Sequence, residues 1–224
     1  MFQDRTDAGR QLADALARYD GEDVAVLALP RGGVPVAVEI AARLNAPLDL
    51  LLVRKIGVPS QPELAMGAIM DGPEPTIVRN ELIIRQAWVS GAEFQTVCNR
   101  ELGELERRRR AYLADREPVE IGGRTVILVD DGIATGATMR AAVAGSRKRG
   151  AKRIVVAVPV APSNTVERLR READEVVCLE EPAPFHAIGF HYLDFRQLAD
   201  GDVTKAIRQF DADRSEDRRP IPTD

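Results

Sequence analysis

Three short apolar runs, Val24 to Leu29, Thr125 to Val129 and Ile154 to Val160, constrain this chain more than anything else in it. Each has strand length and is apolar without alternation, the pattern of a strand covered on both faces. Leu48 to Val53 and Glu175 to Leu179 read as further strands. Between them lie helical patterns. Phe2 to Tyr19 places Ala8, Leu12, Ala15, Leu16 and Tyr19 on one face. After the turn Pro30-Arg31-Gly32-Gly33, Pro35 suits a first helical turn, Val36, Ile40 and Leu44 follow at i+4 spacing, and Asn45 stops the helix. After Val129, Met139, Ala142, Val143 and Ser146 share a face closed by Arg147, Lys148, Arg149 and Gly150, and another helix is capped from Ser163. Strands alternating with helices predict an open α/β fold with a mainly parallel central sheet and right-handed crossovers.

Two stretches break the alternation. From Arg54 to Pro75 the chain is rich in Gly, Pro and polar residues, with a short apolar interval at Leu64 to Met70, and reads as a long mobile loop. Ser90 then caps a long charged helix running to about Asp115. Its Arg107-Arg108-Arg109-Arg110 run is interleaved with Glu101, Glu104 and Glu106 and reads as a solvated face. Residues 211–224 are charged, contain two prolines, and read as a disordered tail.

With 224 residues and 45% hydrophobic content, one principal domain is expected. Thirty-one basic residues against 35 acidic ones give a net charge of −4, so neither nucleic acid nor an anionic membrane is an expected partner, and any anion site must be local. Cys98 and Cys178 stand alone without CxxC spacing, which suits the reducing cytoplasm. Asp4, Arg5, Asp7 and Arg10 crowd the first ten residues, so no signal peptide is expected, and no apolar run approaches membrane-spanning length.

The segment Val129-Asp130-Asp131-Gly132-Ile133-Ala134-Thr135-Gly136-Ala137-Thr138 joins a buried strand to a helix through two carboxylates, a glycine turn and two hydroxyls. Main-chain N–H groups at a helix N-terminus cradle an anion; Gly136 and Ala137 allow close approach, and Thr135 and Thr138 add donors. Asp130 and Asp131 suit hydrogen bonds from vicinal sugar hydroxyls. Capping alone needs neither the paired acids nor the second threonine. A sugar phosphate satisfies both halves.

This segment resembles the binding motif for 5-phosphoribosyl-1-diphosphate (PRPP) of type I phosphoribosyltransferases. Its Asp-Asp, two residues, Ala-Thr-Gly-x-Thr-Met pattern is most similar to the adenine enzymes. The resemblance implies a core of about residues 24–180, a hood of about 181–210 with the N-terminal helix, a single domain over 1–210, and Mg2+ held with Asp130 and Asp131. It implies a second anion turn, Pro30-Arg31-Gly32-Gly33, with an often cis peptide facing diphosphate, a backbone that Gly32 and Gly33 make easy to adopt. Arg54 and Lys55 would meet diphosphate or the partners of the flexible loop, and Ile56 to Met66 would be the closing lid.

In the implied reaction a nitrogen nucleophile attacks the anomeric carbon, diphosphate leaves, and Arg31, Lys55, the turn amides and the metal carry the electrostatic stabilisation. Hypoxanthine and guanine relatives have an aspartate where this chain has Ala134, which argues against a 6-oxopurine acceptor. Glu63, the one carboxylate between Arg54 and Met70, is the candidate acid or base. The segment from Pro184 to Phe195 holds both histidines and four of nine Phe and Tyr residues; it reads either as a hood, with Phe185 the candidate to stack on a base, or as a hydrophobic plug over the sheet edge. The whole sequence is similar to a widespread bacterial group of predicted phosphoribosyltransferases, from which no acceptor follows; relatives are often homodimers. The alternative is a PRPP- or nucleotide-sensing regulator of the same fold without turnover.

Overall fold

The computed structural model describes residues 1–72, 74–114 and 116–217. Five strands, β1 (Val24–Ala28), β2 (Leu48–Leu50), β6 (Thr125–Val129), β7 (Arg153–Val160) and β8 (Glu175–Glu180), form a parallel sheet in the order β2-β1-β6-β7-β8. The apolar runs divide between its two faces as alternating side chains must. In β1, Val24, Val26 and Ala28 join one core cluster, while Ala25 and Leu27 join the other. The first cluster is covered by α1 (Arg5–Ala15), α2 (Gly33–Arg43), α4 (Gly91–Leu113) and α7 (Asp200–Asp217); the second by α5 (Ala137–Lys148) and α6 (Ser163–Leu169). Fully buried residues of this kind, such as Val26 and Ile127, each contribute about 1.5–3 kcal/mol by leaving water.

The expected loop from Arg54 is instead a three-stranded antiparallel sheet, β3 (Val53–Val58), β4 (Gln61–Met70) and β5 (Thr76–Arg79), followed by α3 (Glu81–Gln86). The expected lid is its β3–β4 hairpin. The register slips on both sides of Gly57, whose missing Cβ lets the Pro62 backbone close in. Such a bulge hides the two-residue period from a sequence reading. Ser90 caps α4 in a full capping box with Glu93. Residues 211–217 continue α7 rather than forming a tail; residues 218–224 lie outside the described residues.

From β1 the chain turns onto one face of the sheet and reaches β2; from β6 it turns onto the other face and reaches β7. These connections diverge between adjacent strands, so a crevice opens at the carboxyl ends of β1 and β6. Residues 30–33 and 130–137 are the turns that line it.

Candidate functional site

The turn after β6 is held from three sides. The Ile133 N–H donates to the Val160 carbonyl at 2.9 Å, the Thr165 hydroxyl to the Ala134 carbonyl at 2.9 Å, and the Tyr192 hydroxyl to the Asp131 carbonyl at 2.6 Å. Gly136 occupies the left-handed region (φ +76°) and hands the chain to α5, where a side chain is disfavoured. Ala134, Thr135, Ala137 and Thr138 are exposed, and among the described residues neither threonine hydroxyl has a partner. The turn is thus fixed in shape with its N–H groups and hydroxyls open, as an anion cradle requires.

The two acids differ. Asp130 is half-buried, and burial, then the neighbouring charge of Asp131, raise its carboxyl well above the ordinary range. Asp131 is 8% exposed, and its Oδ2 accepts from Arg5 Nε at 2.7 Å. A Cβ on Gly32 would fall on the Asp131 carboxylate, and one on Gly33 would lie 2.6 Å from the Val129 carbonyl oxygen. Gly32 has ordinary helical dihedrals (φ −63°, ψ −35°), so these glycines serve close packing between the two turns rather than unusual backbone.

The turn after β1 carries a cis Pro30–Arg31 peptide and borders a cavity of about 460 Å³. Arg31, Arg54, Arg107 and Arg108 line it, with Tyr112, Thr138 and Asp200. Among the described residues Asp200 is its one lining carboxylate, and it accepts from the Tyr112 hydroxyl at 2.7 Å. Glu104 stands behind Arg107 and Arg108, whose hydrogen bonds pull its carboxyl down to about 2. Glu101 stands behind Arg54; burial works against its charge, yet hydrogen bonds from Arg54 and Arg100 hold its carboxyl below the ordinary value. Four guanidinium groups converging on one space make a polyanion the fitting ligand.

The phosphoribosyl transferase domain matches residues 3–194 of this chain. The chain belongs to that family. Two Mycobacterium tuberculosis proteins whose names call them phosphoribosyl transferases are each 47% identical over 216 residues, 96% of this chain and 48% of theirs. The chain therefore spans about half the length of the curated relatives it matches. The crystal structure of TT1426 from Thermus thermophilus superposes with a TM-score of 0.84 at 43% identity, covering 94% of this chain and 99% of that one.

Within this phosphoribosyl transferase domain several residues fall elsewhere than expected. Arg54 and Lys55 are neighbours inside β3, so they point to opposite faces. Arg54 reaches the cavity; Lys55 does not line it and pairs at 3.0 Å with Glu63, within the expected lid. The Glu63 side chain is 97% exposed and also lies outside the lining. Phe185 stacks on His191 with ring centroids 6.0 Å apart; the aromatic that touches the acid pair is Tyr192, and Phe195 lies under the Arg5 guanidinium at 4.0 Å. The arginine run is not a uniform solvated face: Arg107 and Arg108 line the cavity, and Arg109 pairs with Asp71 and Asp49. Arg5, Thr165 and Tyr192 escaped the sequence reading, because nothing local marks a contact made across more than thirty residues.

Proposed function

We propose that this domain transfers the phosphoribosyl group of PRPP to a nitrogen-containing acceptor with Mg2+ present. One observation carries the reading: two turns at a topological switch point present an open N–H and hydroxyl cradle beside a guanidinium-lined cavity. That spacing of anion sites around an acid suits a sugar bearing phosphate at one end and diphosphate at the other. Asp130 would accept from a ribose hydroxyl, and the amides of residues 134–138 with Thr135 and Thr138 would hold the 5-phosphate. Arg31, Arg54, Arg107 and Arg108 would offset the charge that grows on diphosphate as its bond to the anomeric carbon breaks and the acceptor nitrogen bonds there.

The residues present suit a metal supported largely by substrate oxygens. Among the described residues no group of three or more acidic, His or Cys side chains is arranged to hold a metal ion, and Mg2+ commonly takes only one or two carboxylates beside phosphate oxygens and water. Asp130 is the available carboxylate, since Asp131 Oδ2 is taken by Arg5. Bound there, Mg2+ would neutralise phosphate charge.

Both cysteines are free, which supports a reducing compartment. No described helix is long and apolar enough to cross a membrane. A PRPP-sensing regulator is the second reading: among the described residues the cavity lining holds one carboxylate, Asp200, already bonded to Tyr112, and no histidine. The test is to incubate the chain with PRPP, Mg2+ and a panel of purine and pyrimidine bases. Diphosphate release with one acceptor supports transfer, PRPP binding without release supports the regulator, and absence of both sinks the reading.

A further inference from the structure

We propose that Arg5, on the first turn of α1, is a positioning residue for the ribose end of the site, acting through Asp131. This rests on the reading of the site as a PRPP site and adds a residue to it. Arg5 is 9% exposed although it is the fifth residue of the chain. A buried guanidinium needs partners for its fork of donors. Nε goes to Asp131 Oδ2 at 2.7 Å and NH1 to the Arg196 carbonyl at 3.0 Å, while the plane lies 4.0 Å over the Phe195 ring. The pair is enclosed, with the two side chains 10% and 12% exposed, so water screens it little.

The contact has a geometric consequence. Gly32 packs against the Asp131 carboxylate on another side, leaving no room even for a methyl group there. The Tyr192 hydroxyl holds the Asp131 carbonyl, and Tyr192 itself stacks on Phe195. The N-terminal strand-like segment is fastened to the same element: the Phe2 N–H donates to the His191 carbonyl, and the Leu193 and Asp194 N–H groups donate to the Phe2 and Gln3 carbonyls. Arg5, Asp131, Tyr192 and Phe195 thus join α1, the turn after β1, the turn after β6 and residues 191–196 at one point.

The consequence for ligand recognition is a division of labour between adjacent acids. Arg5 takes Oδ2 of Asp131 and offsets the repulsion that two neighbouring carboxylates would otherwise share. The Asp130 carboxyl keeps its partners within the pair, accepting from the Asp131 N–H and sharing a side-chain hydrogen bond with Asp131, and no basic side chain takes it. Loss of Arg5 leaves Asp131 buried and unpaired, so it turns toward other donors and takes the motif with it.

The experiment is calorimetry of the full chain with two separate probes in the presence of Mg2+, ribose 5-phosphate and inorganic diphosphate, using wild type, Arg5→Gln, Arg5→Lys, Asp131→Asn and the Arg5→Gln/Asp131→Asn double variant. The expected result is a roughly tenfold weaker Kd for ribose 5-phosphate in Arg5→Gln, partial rescue in Arg5→Lys, and unchanged diphosphate affinity. The double variant should be no weaker than either single one, as for two groups acting as a unit. Thermal unfolding shows whether each variant is folded. If Arg5→Gln does not fold, Arg5→Lys and Asp131→Asn decide: selective loss of ribose 5-phosphate affinity supports positioning. Equal losses for both probes mean that Arg5 merely holds the fold, and unchanged affinities mean that it does nothing for the site; either overturns the inference. Wild type that binds neither probe overturns the functional reading itself.

Discussion

The turns after β1 and β6 leave adjacent parallel strands at the same sheet edge, yet they are built by different means. The β6 turn carries its chemistry within ten consecutive residues, with acids, left-handed Gly136 and hydroxyls each placed by local spacing. The β1 turn supplies only Arg31 and a close-packed backbone; Arg54 comes from β3, Arg107 and Arg108 from α4, and Asp200 from the start of α7. A sugar phosphate site can be encoded in one segment because a helix N-terminus already offers aligned N–H groups. Neutralising a diphosphate takes several full charges, and like charges are most easily gathered from separate elements with acids such as Glu101 and Glu104 behind them.

Breaking the β6 turn should have the largest effect. Asp130→Ala is expected to weaken ribose 5-phosphate and PRPP by about 100-fold in calorimetry, since it removes the carboxyl that would bond the ribose hydroxyls from a half-buried site. Gly136→Val forces a β-branched side chain into φ +76° and against Thr165 Cγ2, 2.9 Å from the added Cβ. We expect about a 30-fold loss of ribose 5-phosphate affinity and a Tm lower by several degrees, from roughly 1–2 kcal/mol of strain.

Breaking the β1 side should act on the other half of the ligand. The Arg107→Ala/Arg108→Ala variant is expected to weaken inorganic diphosphate about tenfold, more at low salt than at high, while ribose 5-phosphate changes less than about twofold. Equal losses for the two ligands would erase the distinction between the turns.

Asp71 tests the support behind α4. Burial pushes its carboxyl up to about 6 despite the Arg109 guanidinium, against an ordinary value of 3.8. Its folded-state value is raised, so its contribution to stability is fully present below about pH 4 and lost as pH rises through about 6. Asp71→Asn should flatten that part of the pH dependence of the urea midpoint, and an unchanged profile would refute the assignment. The smallest effect is expected from Glu63→Gln, with diphosphate release within about twofold of wild type, because Glu63 is exposed on a hairpin outside the cavity.

Much of the scaffold was legible because buried parallel strands need apolar residues on both faces, which leaves little freedom in Val24 to Leu29 or Thr125 to Val129. The acid pair and threonine turn were legible for a similar reason, each residue type having a local task. The antiparallel sheet was not, since the slips at Gly57 and the half-exposed faces of β3 to β5 leave no clean period. Arg54 and Lys55 show the same limit: their charge was visible, but only membership of a strand separates the one that faces the cavity from the one that faces Glu63.

What the amino-acid sequence determined by itself was the order of the parallel strands with the helices between them and the residue types that the turn after β6 carries, because periodicity, capping and turn geometry act over a few residues. Only the tertiary structure decided which arginines meet in the cavity and that Arg5 holds Asp131 across 126 positions. Those choices depend on crossover direction and packing, and a charge becomes selective for a partner only once folding has removed the competing water.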